Sequence, residues 1–232
     1  MSPNPLLARL LPATVSCAEQ FGQADGSGGL PAERTAIAHA LASRRSDYLG
    51  VRDCARTALA ALGLAPVVIG TGLKREPIWP PGVVGSLTHC AGYRGAAVAL
   101  AERMHSVGID AEPHEPLPPG VLETVALPEE LRAIAALEEA EGDTHWGRVL
   151  FCAKEAVYKA WYPLAGEWLG FEEASVRIVV DGQPRDLRGG RFSARLLRSG
   201  PTIDGAPLTC FEGRWAVGAG LISTAVLVPV LA

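Results

Sequence analysis

The sequence lacks the long apolar runs, the paired cysteines and the basic excess that would place it in several large protein classes. No run approaches 18 apolar residues, which argues against a conventional membrane-spanning helix. The five cysteines are odd in number and have no pair spacing typical of metal sites, so we expect reduced thiols. With a net charge of -4, nucleic-acid binding would need a local basic patch.

The first thirty residues do not resemble an export signal. Their apolar stretch at residues 6–11 is short, is interrupted by Arg9 and has no basic segment before it. We therefore predict a cytoplasmic protein, with no membrane and no nucleic acid among its partners. The 232 residues are 48% hydrophobic, which is enough for one sizeable core or two small joined cores.

An internal repeat predicts two similar halves. Residues 30–41 parallel residues 127–138, each as a helix with proline in its first turn, and residues 54–58 parallel residues 152–156. Each half then ends in a pair of apolar strands, 95–100 with 106–112 and 214–219 with 221–228. We predict an α+β fold of two α/β halves related by pseudo-twofold symmetry, 1–112 and 113–232, joined by the proline-rich stretch 113–120. The alternative is chance similarity between alanine-rich helices.

Two carboxylates, Asp110 and Glu112, lie in an apolar stretch that otherwise reads as a buried strand. Side chains two residues apart on a strand point to the same side of the sheet. Two such unpaired charges repel by about 4 kcal/mol at an effective dielectric of about 20, and a hard cation such as Mg2+ would relieve that repulsion. The alternative is a strand that simply ends, with Glu112 in solvent ahead of Pro113.

An amphipathic pattern at residues 150–162 predicts a helix. Its apolar stripe consists of Leu150, Ala153, Val157, Ala160 and Leu164. Glu155 lies opposite that stripe and forms an i, i+4 pair with Lys159. A solvated ion pair is the plain interpretation, but it leaves three flanking rings unexplained, those of Phe151, Tyr158 and Tyr162.

Four motifs follow one another along the chain, at residues 44–56, 79–94, 107–112 and 151–160. In this order they resemble the signature of the Sfp-type 4'-phosphopantetheinyl transferases, and the likeness covers nearly the whole chain. It is closest to the actinobacterial PptT-like group, which serves fatty-acid, polyketide and siderophore synthases. The resemblance implies transfer of 4'-phosphopantetheine from coenzyme A to a serine of an acyl or peptidyl carrier protein. The second product would be adenosine 3',5'-bisphosphate.

The same resemblance implies roles for individual residues. Mg2+, with Mn2+ as the alternative, would be held by Asp110, Glu112 and Glu155. Coenzyme A would be bound by Arg44, Arg52, Lys74, Thr88, His89, Asp110, Glu155 and Lys159, with Arg45 and Arg56 as neighbours. The catalytic residues would be Glu155, Lys159 and Glu112. Glu155 would accept the serine proton and Lys159 would stabilise the departing phosphate, although spacing does not decide between Glu112 and Glu155 as the base.

Because Glu155 lies in the second half and the other two acids in the first, we predict an active site at the interface between halves. Tyr158 and Trp168 would shape the pantetheine channel, and Lys154 would touch phosphate or solvent. We expect a monomer whose partners are coenzyme A and carrier proteins. A metal-dependent coenzyme A diphosphate hydrolase would use the same groups with water in place of serine. A non-catalytic coenzyme-binding module is the remaining alternative.

Overall fold

The part of the chain that the structure describes forms two main antiparallel sheets, each covered on one face by a helix of 20 residues. A computed structural model describes residues 5–23, 25–181 and 188–231. The helices are α1 (Leu7–Leu10), α2 (Pro31–Ala36), α3 (Ala42–Ala61), α4 (Val121–Val125), α5 (Pro128–Ala140) and α6 (Trp146–Ala165), and a 3-10 turn spans Phe171–Glu173. None of the helices in these ranges is both long and apolar enough to cross a membrane.

The strands divide into two main sheets and two short hairpins. They are β1 (Ser16–Phe21), β2 (Gly70–Thr71), β3 (Pro77–Ile78), β4 (Val83–Cys90), β5 (Tyr93–Leu100), β6 (Met104–Pro113), β7 (Ala174–Val180), β8 (Arg188–Leu196), β9 (Thr202–Ile203), β10 (Ala206–Pro207), β11 (Cys210–Gly218) and β12 (Leu221–Pro229). The three-stranded sheet has the order β1-β5-β4 and the five-stranded sheet the order β6-β12-β11-β8-β7. The prediction of a mixed α/β fold is confirmed.

The predicted pairing of strand 95–100 with strand 106–112 is wrong. Strand β6 pairs with β12, so that Thr224 lies opposite Asp110, and β5 pairs with β1 and β4. The predicted pair 214–219 with 221–228 is confirmed as β11 with β12. The strand that carries the two acids therefore belongs to the C-terminal sheet, and the boundary predicted between residues 112 and 113 stays a prediction.

The edges of the two sheets meet where β6 runs beside β4. The Ser86 hydroxyl oxygen accepts a hydrogen bond from the Ile109 N–H at 3.1 Å, and the Thr88 hydroxyl oxygen accepts one from the Ala111 N–H at 2.9 Å. An edge strand leaves a row of N–H groups unpaired. Here the side-chain hydroxyls of Ser86 and Thr88 accept hydrogen bonds from two of these N–H groups, in place of carbonyl oxygens of a neighbouring strand. We call this contact the β4–β6 seam.

Three hydrophobic cores lie on the faces of these sheets. Helix α3 packs on one face of the three-stranded sheet, around Ala55, Leu59 and Val98. Helix α6 packs on one face of the five-stranded sheet, around Trp146 and Trp215. The remaining faces of the two sheets pack on each other, together with α1. An apolar layer between the two sheets therefore packs against the β4–β6 seam.

A buried glutamate ties the start of α2 to the N-terminal sheet region. Glu33 accepts hydrogen bonds from the Leu30 N–H and the Ile69 N–H, both at 2.9 Å. Its charge is balanced by Arg56 at 2.7 Å. Arg56, predicted from sequence as a neighbour of the coenzyme phosphates, is engaged here by a structural carboxylate.

The start of α5 carries an equivalent glutamate. Glu130 accepts hydrogen bonds from the Leu127 N–H at 2.7 Å and the Val176 N–H at 2.6 Å, and its charge is balanced by Lys154 at 2.8 Å. Lys154 is 3% exposed and also donates to the carbonyl of Phe171. The prediction that Lys154 touches phosphate or solvent is therefore wrong, because its ammonium serves the fold.

The predicted helix at residues 150–162 is confirmed within α6. Its predicted apolar stripe is buried except at Leu164, but Cys152 and Ala156 are buried as well. Cys152 is covered by β12, where its thiol donates to the Ile222 carbonyl, and Ala156 is covered by β6, which approaches α6 closely at Gly108. A Cβ at that position would lie 2.0 Å from the Ala156 carbonyl oxygen, so only glycine permits this contact. The close approach brings the polar side of α6 to the acids of β6.

Candidate active site

Asp110 is the centre of a polar cluster between β4, β6 and α6. The residue is 5% exposed, and its Oδ1 accepts hydrogen bonds from Lys159 Nζ at 2.7 Å and from the Thr88 hydroxyl at 3.1 Å. Its Oδ2 is buried and has no hydrogen-bond partner among the described residues. A buried carboxylate oxygen without a partner is costly, which marks this atom as a position for a ligand.

Lys159 reaches Asp110 from the middle of α6. Burial alone would lower the pKa of Lys159, but the Asp110 carboxylate, assisted by Glu155, outweighs burial and raises it. The side chain is 26% exposed and lines a cavity of about 400 Å³. Lys159 is therefore charged at neutral pH and can meet an anion entering the cluster.

Glu112 lies on the same side of β6 as Asp110, as the strand periodicity predicts. Its side chain is 23% exposed and its Oε2 is 3.0 Å from Nη1 of Arg148, so the alternative that Glu112 stands in solvent is wrong. Burial and the Asp110 charge raise the pKa of Glu112, and Arg148 opposes that rise. Reasoning from sequence missed Arg148. The sequence spacing could have identified it, because Arg148 lies 7 residues before Glu155 and 11 before Lys159, which places the three on the same helix face.

Glu155 is half-buried and forms no hydrogen bond or ion pair within the described ranges. Burial raises the pKa of its carboxyl, the Asp110 charge adds to that rise, and Lys159 opposes it. The α6 face that carries Glu155 also presents Tyr158, whose ring is 4.7 Å from that of the exposed Trp168. A half-buried carboxylate of raised pKa beside a lysine is suited to accept a proton.

The three predicted metal ligands have a donor set that suits a hard divalent cation. All three are carboxylates, and Asp110 Oδ2 offers a buried oxygen that lacks a hydrogen bond within the described residues. In residues 5–23, 25–181 and 188–231, however, no three His, Cys, Asp or Glu side chains are grouped as a ready metal site. Lys159 and Arg148 supply the positive charge between the carboxylates. The chemistry of the residues fits Mg2+, whereas a formed metal centre is absent from these ranges.

His89 and Arg44 form a second polar group at the C-terminal end of β4, next to the Asp110 cluster. Nη1 of the exposed Arg44 lies 3.0 Å from Nε2 of His89. Because arginine can only donate, His89 accepts through Nε2 and is neutral. Burial lowers the pKa of His89, although Asp47 opposes that shift. Thr88, the residue before His89, holds Asp110, so β4 connects this group directly to the cluster.

Arg52, a predicted coenzyme ligand, is 4% exposed and bound by the protein itself. Its guanidinium donates to the carbonyls of Ile69 and Tyr48 and to the hydroxyl of Thr71, and it stacks 3.3 Å from the centre of the Tyr48 ring. These contacts order the segment before the β2–β3 hairpin. Its role as a phosphate ligand stays a prediction, without support from this geometry.

Two cavities open beside the predicted coenzyme residues. One, of about 400 Å³, is lined by Lys74, Trp79, Tyr158, Lys159 and Tyr162. The other, of about 540 Å³, is lined by Arg44, Tyr48 and Arg75. The β2–β3 hairpin contributes to both. The structure thus brings Thr88, Asp110, Glu112, Glu155 and Lys159 to one cluster, and it places Lys74 and Arg44 at cavities beside that cluster.

Comparisons with known proteins agree along nearly the whole chain. Residues 32–99 match the model of the 4'-phosphopantetheinyl transferase N-terminal domain, and residues 106–210 match that of the 4'-phosphopantetheinyl transferase superfamily. The chain is 48% identical over 231 residues to 4'-phosphopantetheinyl transferase PptT of Mycobacterium tuberculosis, covering 98% of this chain and 100% of the relative. It is 49% identical to Npt of Nocardia iowensis, covering 95% and 99%, and 47% identical to Svp of Streptomyces mobaraensis, covering 96% and 89%.

Proposed function

The chain belongs to the 4'-phosphopantetheinyl transferase superfamily, and from that premise we propose that Asp110, Glu155 and Lys159 form its catalytic centre. It is an enzyme that transfers the 4'-phosphopantetheine group from coenzyme A to carrier proteins, and the hydrolase alternative has no support from the comparisons. The observation that carries the proposed site is the contact of Lys159 Nζ with Asp110 Oδ1 at 2.7 Å, one helical turn from the unpaired carboxylate of Glu155.

The site would lie between two halves related by pseudo-twofold symmetry. Two observations support this proposal. First, Asp110 is held by Thr88 from the three-stranded sheet and by Lys159 from the helix of the five-stranded sheet. Second, Glu33 and Glu130 make matching contacts at the starts of the repeated helices, each with its own helix start, a strand-side N–H and a cation. Duplication followed by divergence would explain both.

In the proposed reaction, a carrier-protein serine attacks the phosphorus nearest the pantetheine arm. A new serine oxygen–phosphorus bond forms, and the bond from that phosphorus to the bridging oxygen of the diphosphate breaks. The serine proton passes to Glu155, and adenosine 3',5'-bisphosphate departs with the bridging oxygen. Such transfers need little covalent chemistry from the protein, so positioning and charge stabilisation dominate.

Lys159 would stabilise the departing phosphate. One of its three N–H donors is used on Asp110, which leaves donors for phosphate oxygens on its accessible side. The Asp110 carboxylate fixes the direction of the ammonium and keeps it charged. Mg2+, with Mn2+ as the alternative, would be held by Asp110, Glu112 and Glu155 and would neutralise charge on the diphosphate. Glu112 stays the second candidate for the base.

Coenzyme A would lie along β4, from the cluster toward Arg44 and His89. Lys74 projects from the hairpin at the cavity that also contains Lys159, so both ammonium groups could meet one diphosphate. Tyr158 and Trp168 would shape the pantetheine channel. We further propose that the acceptors are carrier domains of fatty-acid, polyketide, nonribosomal-peptide and siderophore synthases, and that the enzyme works as a cytoplasmic monomer without nucleic acid or membrane.

The test combines the protein with Mg2+, coenzyme A and an apo carrier protein, followed by intact-mass measurement of the carrier. Transfer adds the phosphopantetheine mass, and Glu155→Gln should abolish that addition while preserving the circular dichroism spectrum. Glu139→Gln, at an exposed position of α5, is the matched control and should behave as wild type. An unmodified carrier with coenzyme A consumed would instead indicate hydrolysis. Undiminished transfer by Glu155→Gln would remove Glu155 from the catalytic centre.

A further inference from the structure

Arg148 is fixed beside Glu112 by contacts that do not depend on Glu112. Its Nε donates to the Glu115 carbonyl at 3.1 Å and its Nη2 to the Pro116 carbonyl at 2.8 Å, while Nη1 pairs with Glu112 Oε2 at 3.0 Å. The side chain is 13% exposed. Because two backbone carbonyls hold the guanidinium, its charge stays in place even when Glu112 turns to another partner.

Two cations reach the carboxylate cluster from α6, Arg148 from its first turn and Lys159 from farther along the helix. Arg148 and Lys159 are eleven residues apart, about 16 Å along an ideal helix. They nevertheless contact carboxylates only two residues apart on β6, Glu112 and Asp110 respectively. Glu155 lies between the two cations on the same helix face. The side chains of Arg148 and Lys159 therefore converge on the place where a metal ion would be held.

The charges of these five groups nearly cancel. Three carboxylates face two cations, so the cluster carries a single net negative charge when all are ionised. A divalent cation entering alone would reverse that sign inside a half-buried site, where an uncompensated charge is costly. If a diphosphate accompanies the cation, at least two negative charges enter with it and the excess positive charge disappears.

We propose that Arg148 is an internal counter-cation for Glu112, which weakens binding of a lone divalent cation and makes cation and coenzyme A depend on each other for binding. This role rests on the proposed function, in which Asp110, Glu112 and Glu155 hold the metal ion, and it extends that function to Arg148. By linkage, each ligand raises the affinity of the other by the same factor. A purely structural Arg148, which only anchors the connection at residues 115 and 116, would leave the affinity for the cation unchanged.

The test is a titration of the full-length protein with Mn2+, followed by electron paramagnetic resonance of the free ion, with and without coenzyme A. In the wild type, coenzyme A should tighten Mn2+ binding at least tenfold. Arg148→Gln, which keeps hydrogen-bond donors but removes the charge, should bind Mn2+ alone about tenfold more tightly than wild type. Its gain from coenzyme A should shrink to about threefold.

Two controls accompany this titration. Arg148→Lys keeps the charge and should retain most of the coupling. Arg103→Gln removes a 67% exposed arginine that forms an ion pair with Glu102, and it should bind Mn2+ as wild type does. Thermal melts of all variants report folding. The coupling measured in the wild type needs no variant, so the proposal stays falsifiable even if Arg148→Gln does not fold.

The proposal on Arg148 is overturned if coenzyme A does not change Mn2+ affinity in the wild type, or if folded Arg148→Gln binds Mn2+ as wild type does. Carrier modification is measured on the same preparations to separate this outcome from failure of the proposed function. Coupled binding that Arg148→Gln weakens, without carrier modification in the wild type, would support the role of Arg148 and overturn the assignment of the catalytic centre. Carrier modification without any Mn2+ binding would overturn the role of Arg148 and leave the transfer intact.

Discussion

Lys159 and Asp110 connect a buried helix to an edge strand through a contact of 2.7 Å between Nζ and Oδ1. The contact lies where three elements meet, because the Thr88 hydroxyl on β4 donates to the same carboxylate oxygen. The aspartate side chain is buried at 7% exposure, whereas the lysine side chain is 26% exposed and lines a cavity. The pair therefore combines a structural link with a charge that a ligand can reach.

Removing one partner of this pair should harm the protein more than removing both. Lys159→Met leaves a buried carboxylate unpaired and should cost about 2 kcal/mol of unfolding free energy, less than a fully buried pair because the lysine is partly exposed. The double variant with Asp110→Asn should recover part of that loss. Urea titrations of the two single variants and the double variant measure the coupling. Strict additivity of the two losses would contradict it.

Activity should respond differently, because in the proposed reaction the charge of Lys159 stabilises the departing phosphate. Both Lys159→Met and the double variant should lose about a thousandfold in kcat, and the restored stability should not restore turnover. Lys159→Arg keeps the charge and should lose less. If kcat recovered together with stability in the double variant, Lys159 would have a structural role only.

Glu155 should destabilise the folded protein at neutral pH. Burial raises the pKa of its carboxyl, so folding disfavours the ionised form. The penalty is complete above the raised pKa and absent below the unfolded value of about 4.3. Glu155→Gln should therefore melt a few degrees higher than wild type at about pH 8, and the difference should vanish at about pH 4. Melting curves across pH check this; a lower melting temperature at pH 8 would contradict it.

Removing the two hydroxyls of the β4–β6 seam one at a time should distinguish a loss of stability from a loss of activity. Thr88→Val removes the acceptor for the Ala111 N–H and the donor to Asp110, whereas Ser86→Ala removes only the acceptor for the Ile109 N–H. Each should cost about 1–3 kcal/mol, the cost of an unsatisfied buried donor. Only Thr88→Val should also lower kcat strongly, and Thr88→Ser should restore it. Equal kinetic losses in the two variants would show that Thr88 acts only through the seam.

Gly108→Ala should disrupt both the fold and the site. The added methyl group would lie 2.0 Å from the Ala156 carbonyl oxygen, so α6 must move away from β6. We expect a loss of about 2 kcal/mol or more from overpacking, together with lost transfer activity. Gly142→Ala is the matched control, because its methyl group would lie 3.5 Å from the nearest atom. Normal melting and kinetics in Gly108→Ala would contradict the close approach.

Arg52 and Lys74 should give opposite results. Arg52→Met removes hydrogen bonds to buried carbonyls, so it should lower the free energy of unfolding by about 2 kcal/mol. Lys74→Met changes an exposed side chain at the cavity and should raise the KM for coenzyme A about tenfold, without shifting the melting temperature. If Arg52→Met left the stability unchanged and raised the KM for coenzyme A, the result would support Arg52 as a ligand of the coenzyme A phosphates.

Local periodicity correctly predicted that Asp110 and Glu112 lie on one side of a strand and that residues 150–162 form a helix. The alternation of side chains along a strand is enough to place Asp110 and Glu112 on one side, because that property does not depend on the rest of the fold. The helical stripe of α6 is equally local. The family motifs then identified Lys159 and Thr88, which the structure brings to Asp110.

Contacts between distant segments could not be predicted in the same way. The pairing of β6 with β12 depends on which sheet edge is free, which the apolar pattern of either strand does not encode. Arg52 is held by backbone carbonyls near residue 69, and carbonyls carry no sequence signal. Arg148 was detectable through its spacing from Glu155 and Lys159. Its partner on β6 became evident only from the close approach at Gly108.

Through the β4–β6 seam, the orientation of the Asp110 carboxylate depends on how the two sheets are aligned with each other. Each sheet could keep its own backbone ladder if the two edges slid apart, whereas Asp110 would lose the hydroxyl that fixes its rotation. In the proposed active site, the position of Asp110 thus depends on a junction made by two side-chain hydroxyls and not by a backbone ladder. We expect small relative displacements of the two sheets to disturb the proposed site before either sheet unfolds.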